Sequence, residues 1–268
     1  MNQREGYLVF FMPGSCGRLF GSIIYKLINN ISTTFPITEY NSAHHFKDAT
    51  TIHFAMRSQA DVGRFATGSS IVGDKLVVVS HLYPEEGIEE LCKITDKGIV
   101  LVNVKKKYVP ETLLNAAIKN ILPPLQQSID NKILPKQDDE LMKMYKEQYH
   151  RLSSNTLDTT ILTDPNKMYE FLKFFSGEAY TEKTSLYFSP FVDSTVQENE
   201  QVFRIEYDEM FDKNSTGQYT TLVRLADWLC VEYDSDVHKI YHDYEIGQVK
   251  LFEKYCPWFL TGEENEPR

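Results

Sequence analysis

"GYLVFFMPGSCGRLFGSIIYKLI", residues 6 to 28, decides how the chain is read. An apolar run from Tyr7 to Met12 stops at Pro13 and passes through Gly14, Ser15, Cys16 and Gly17. It meets a cation at Arg18 and resumes with Leu19, Ile23, Leu27 and Ile31. These periods predict a buried strand over 7–12 and a helix over 18–31. A strand, a small-residue loop and a helix form a phosphate-binding arrangement, because successive backbone N–H groups point into the loop and the positive end of the helix dipole faces the anion. The same residues also suit a plain tight turn in which the glycines serve geometry alone. The pattern GxxxxGK[ST] is not met: Arg18 replaces the lysine, and Leu19 stands where a hydroxyl would hold magnesium. Phosphoryl transfer from a triphosphate relies on that metal, so a donor that needs none suits the loop better.

Working outward, "KLVVVS" (Lys75–Ser80), "GIVLVNV" (Gly98–Val104) and "VFRIEY" (Val202–Tyr207) read as further buried strands, and Thr51–Met56 as a short one. Helices are predicted over Glu85–Ile94, through "ETLLNAAIKNIL" after Pro110, in "DDELMKMYKEQYHRL" and "DPNKMYEFLKFF", and over Tyr219–Cys230 and Val237–Tyr255. Continuous apolar strands alternating with helices predict an α/β fold of three layers, a central, mostly parallel sheet flanked by helices. We read residues 1–260 as a single domain and 261–268, "TGEENEPR", as a polar tail.

The composition narrows the function. The 268 residues carry a formal charge of −10, which argues against broad binding to nucleic acid, where clustered Lys and Arg must neutralise phosphates. No run approaches the length of a membrane span and the amino terminus lacks a signal-peptide pattern, so we expect a cytoplasmic protein without membrane contact. Cys16, Cys92, Cys230 and Cys256 are far apart, so neither a zinc site nor a disulfide framework is indicated.

Three more stretches bear on the early loop. "VVVSHLYP" (Val77–Pro84) resembles the Lys-Thr-His-Leu-Pro strand end of cytosolic sulfotransferases, with Ser80, His81 and Leu82 matching Thr, His and Leu. "IVLVNVKKKYVPETLLNAA" resembles that family's strand, basic turn and helix, and "FRIEYDEMFDKN" its Tyr-Glu-Asp-Leu strand end. With the Pro13–Phe20 loop, four segments follow in family order. The resemblance implies a P-loop-type fold and a metal-independent transfer from 3′-phosphoadenosine 5′-phosphosulfate (PAPS) to a hydroxyl or amine of a small-molecule or glycan acceptor.

Carried over residue by residue, the resemblance makes His81 the general base. A neutral imidazole suits that role near physiological pH. A strand-end histidine that only caps or packs is the alternative. Gly14, Ser15, Cys16, Gly17, Arg18 and Leu19 would hold the 5′-phosphosulfate, with Arg18 stabilising charge on the leaving phosphate in place of the family lysine. Arg18 equally suits a solvent-facing helix position. Lys105 to Lys107 stand where the family has an arginine for the 3′-phosphate, and Asn115, eight residues after Lys107, where it has a serine; three lysines also suit a solvated turn. The family lysine two residues before the histidine is Val79 here, and no glycine-rich closing segment is found near the carboxyl terminus.

Two competing readings are a small-molecule kinase on the same general fold and a non-catalytic binding protein that kept the fold. The acceptor pocket is expected from residues 35–70 and 135–200. His238 and His242, spaced i, i+4, read as a surface helix rather than metal ligands, and the loop "NSAHHF" (Asn41–Phe46), which could line the acceptor pocket, reads as solvated.

Overall fold

The structure, a computed structural model, describes residues 6–30, 55–56, 76–81, 83–120, 164–175, 188–212 and 216–261. Among the described residues five strands make one sheet: β1 (Gly6–Phe11), β2 (Ala55–Met56), β3 (Leu76–Ser80), β4 (Gly98–Asn103) and β5 (Val202–Glu206). They lie in the order β2-β3-β1-β4-β5. Every neighbouring pair is parallel, with Tyr7 opposite both Val77 and Gly98, Val102 opposite Ile205 and Ala55 opposite Val79. The sheet is parallel and buried on both faces, which is why its strands are continuous apolar runs and not alternating ones. The predicted strand over 51–56 and the helices of 138–152 fall, apart from β2, outside the described residues.

Among the described residues the helices are α1 (Gly17–Asn29), α2 (Gly87–Ile94), α3 (Val109–Asn120), α4 (Pro165–Lys173), α5 (Tyr207–Phe211), α6 (Gly217–Leu229), α7 (Ser235–Tyr255) and α8 (Pro257–Thr261). Successive strand residues point to opposite faces, so β1 feeds two cores at once. Tyr7, Val9 and Phe11 join Leu19, Phe20 and Ile23 of α1, Leu225 of α6 and Tyr241 of α7. Leu8, Phe10 and Met12 join Leu91 of α2, Leu113 of α3, Phe171 of α4 and Leu251 of α7. This is the expected three-layer α/β arrangement.

Local chemistry sets several boundaries. Asn30 closes α1 in the left-handed region, φ 50°, which asparagine tolerates, and its N–H donates to the Lys26 carbonyl. Asp164 caps α4 by accepting from the N–H groups of Asn166 and Lys167, with Pro165 in the first turn. Asp234 caps α7 in the same way through the Asp236 N–H. Thr261 closes α8 instead of opening the polar tail. No helix among the described residues is long and apolar enough to cross a membrane.

The strand order fixes where a ligand would enter. α1, leaving β1, covers one face, whereas α2 and α3, leaving the neighbouring β3 and β4, cover the other. Connections that diverge to opposite faces open a crevice at the carboxyl ends of the strands, and here it opens on both sides of β1. The loop after β1 stands at that point.

Candidate functional site

Two glycines shape the loop. Gly14 has φ 83°, and a Cβ there would lie 1.7 Å from the Thr112 carbonyl oxygen, so the loop rests directly on the backbone of α3. A Cβ on Gly17 would lie 1.9 Å from the Phe11 ring. That ring in turn packs on the His81 imidazole with 4.2 Å between centroids. The absence of a side chain at residue 17 thus leaves room for the Phe11 ring at the start of α1, and Phe11 in turn packs, tilted by 59°, on His81 at the end of β3. His81 is half-buried.

The loop is bonded largely to itself and to its neighbours. Ser15 donates from both its N–H, at 3.0 Å, and its hydroxyl, at 2.7 Å, to the Met12 carbonyl. Cys16 adopts φ 65° at the N-cap of α1, and its carbonyl accepts from the N–H groups of Leu19 and Phe20. Its thiol is 6% exposed and sits among polar side chains from two other elements. The Tyr244 hydroxyl donates to Sγ at 3.1 Å, the thiol reaches Gln248 Oε1 at 3.6 Å, and Asn115 Nδ2 lies 3.7 Å from the sulfur. Burial beside Cys16 raises the Tyr244 phenol well above its ordinary range, so it stays a proton donor.

Asn115 is fully buried, and its amide donates to the Gly14 carbonyl at 2.6 Å. Asn115 Oδ1, on the other side of the amide, is buried without a hydrogen-bond partner. A donor to a phosphate, as expected of this residue, is not what this orientation presents. Arg18 lies in the first turn of α1 and Leu19 is buried in the core below it.

The lysine turn between β4 and α3 forms a cluster of its own. Lys105 is paired with Asp208, whose carboxylate raises the lysine pKa by hydrogen bonding. Lys107 lies over the Tyr108 ring, 4.5 Å from its centroid, and Tyr108 donates to Asp212. Lys105 and Lys107 are exposed. Beside them Tyr207, fully buried at the end of β5, donates to Glu111 at 2.9 Å. Burial and the Glu111 charge raise this phenol well above its ordinary range.

The structure therefore brings Gly14, Cys16, Gly17 and Asn115 into direct contact with one another's surroundings, joins His81 to them through Phe11, and engages Lys105 and Lys107 with acidic and phenolic partners. Tyr244 and Gln248 escaped the sequence reading, which held Tyr207 and Asp208 only as part of the strand-end segment "FRIEYDEMFDKN". A polar Gln248 on the inward face of α7, between the buried Tyr244 and Leu251, was the available signal for the first two. Among the described residues no group of three or more His, Cys, Asp or Glu is placed to hold a metal ion. His242 pairs with Glu245 at 3.4 Å, and His238 packs near Tyr219 and Tyr241. "NSAHHF" and most of the expected acceptor region lie outside the described residues. No protein-family model matches the chain, and no curated protein matches it.

Proposed function

We propose that the chain is a PAPS-dependent sulfotransferase, moving a sulfuryl group to a hydroxyl or amine of a small-molecule or glycan acceptor without a metal. The observation that carries this reading is the Gly17–Phe11–His81 contact chain, which holds an imidazole near a glycine-shaped loop at a switch point of a parallel sheet. The four segments of the sequence resemblance also end on this one edge of the sheet, at the carboxyl ends of β1, β3, β4 and β5.

In this reaction the acceptor oxygen or nitrogen attacks sulfur in line, and the bridging S–O bond breaks. Adenosine 3′,5′-bisphosphate leaves with the bond's electron pair, and His81 takes the acceptor's proton. The amino-terminal end of α1 and Arg18 would stabilise charge on the leaving phosphate. Lys105 would reach the 3′-phosphate only by exchanging Asp208 for it.

Calorimetric titration with adenosine 3′,5′-bisphosphate tests donor binding, and no heat at millimolar ligand sinks the proposal. His81→Ala is expected to lower donor-dependent transfer about 10²- to 10⁴-fold with donor affinity retained. Unchanged transfer removes His81 from the reaction. A non-catalytic binding protein is the second reading, favoured by one observation: Cys16 of the loop is buried against side chains from α3 and α7.

A further inference from the structure

α7 belongs to both cores. Its first half, with Val237, Ile240, Tyr241 and Tyr244, packs on the α1 face of the sheet, and its second half, with Leu251 and Phe252, on the α3 face. A helix reaches both faces only by passing round the sheet, and the contacts of Tyr244 and Gln248 with Cys16 put that passage over the carboxyl end of β1. It thus crosses the crevice that the strand order opens.

Both ends of the crossing are pinned. At the start, Lys26 of α1, 3% exposed, bonds Asp234 at 2.6 Å. At the far end Phe252 packs on Phe259 of α8, with 5.6 Å between ring centroids. The middle is different. Its hydrogen bonds to Cys16 of the loop, from the Tyr244 hydroxyl at 3.1 Å and to Gln248 Oε1 at 3.6 Å, both run through sulfur, a weak hydrogen-bonding atom. Asn115 Oδ1 beneath it is a buried acceptor without a partner, whose hydration on opening recovers what burial withholds. Gly247 stands in the helix interior between Tyr244 and Gln248, and glycine is where helices kink at least expense.

We propose that α7 is a strap over the loop, closed in this structure, and that the loop opens to ligand by a kink of α7 at Gly247 that draws Tyr244 and Gln248 off Cys16. The inference rests on the donor-binding reading for the ligand's identity but not for the motion. Closed and open forms exchange, and a ligand that binds only the open form has its affinity reduced by the open fraction.

The test uses the four cysteines of the full chain as reporters. Alkylation by iodoacetamide is followed at each thiol by peptide mass spectrometry, with exposed Cys230 as the fast reference. Amide exchange of Val9 and Val100 in the central strands gives the rate of global unfolding. Cys16 is expected to react about tenfold or more faster than global unfolding permits, with buried Cys256 still protected. Gln248→Ala is expected to speed Cys16 labelling about fivefold and to tighten adenosine 3′,5′-bisphosphate binding by the same factor. Tyr244→Phe, which removes only the hydroxyl, serves if Gln248→Ala does not fold, and acts in the same direction. Labelling of Cys16 only together with Cys256, at the pace of the strand amides, overturns the strap. Local opening at Cys16 that adenosine 3′,5′-bisphosphate does not slow upholds the strap and refutes the donor reading.

Discussion

Gly14 and Gly87 share a backbone conformation, φ 83° and 82°, and have opposite surroundings. A Cβ on Gly14 would lie 1.7 Å from the Thr112 carbonyl oxygen and 3.0 Å from the Ala116 nitrogen, both in the interior of α3, whereas a Cβ on Gly87 would meet nothing within 4 Å. Gly87→Ala therefore measures the backbone penalty alone, about 1–2 kcal/mol. Gly14→Ala adds the intrusion of a methyl group into helix backbone, about 1–3 kcal/mol. It also loses the bond between Asn115 and the Gly14 carbonyl, about 1 kcal/mol. The expected destabilisation is about 3–6 kcal/mol, or about 2–4 more than for Gly87→Ala. Urea unfolding followed by circular dichroism, with the midpoints compared at equal m-values, makes the measurement. Equal midpoints for the two variants would refute the seating of the loop on α3, and with it the origin of the site's shape.

Three further outcomes are expected. The Lys26 ammonium holds the Asp234 carboxyl below its ordinary 3.8. The stability this adds is full above that value and fades as pH falls through the lower folded one. Asp234→Asn, at a side chain 38% exposed and therefore screened by solvent, should weaken the fold by about 1 kcal/mol at pH 7 and flatten the acid limb of stability against pH; a limb as steep as the wild type's contradicts this. At the alkaline end, burial raises the phenols of Tyr207, Tyr241 and Tyr244, so their contribution is present below the ordinary phenol value of 10.0 and is lost as pH rises above it. Part of the phenolate absorbance should then appear only as helical dichroism is lost, and complete ionisation of a still-folded chain would show these rings to be accessible. Tyr207→Phe removes the donor to Glu111 and should cost about 1 kcal/mol in urea, without altering the Cys16 labelling rate.

Much of this architecture was legible because burial on two faces leaves a strong pattern. Lys75–Ser80 and Gly98–Val104 were readable to within a residue as β3 and β4, since nothing polar interrupts them. α3 was marked by Pro110 and Glu111 in its first turn. The site was legible in part. Glycines at 14 and 17 pointed to close approach, but what approaches, Thr112 in one case and Phe11 in the other, is a tertiary fact. The expected role of Asn115 assumed a side chain open to a ligand, whereas its amide is taken by a carbonyl 101 residues away in sequence. Lys105 read as an available cation because Asp208 lies 103 residues further along. Pairings over such separations leave no periodic trace. Nor did the spacing of α7 disclose that it serves both faces, because an inward stripe looks the same whichever core receives it.

The position of β1 carries a consequence for biosynthesis. As the central strand it has its partners in β3 and β4, and Tyr7 meets the first of them, at Val77, only after 70 further residues have been made. At ribosomal speeds this leaves an unpaired segment for about 4 to 14 s. "GYLVFF" contains no proline and no charge, the composition that favours intermolecular strand pairing. The strand that later organises both cores is thus, while the chain is being made, a segment open to wrong strand pairing.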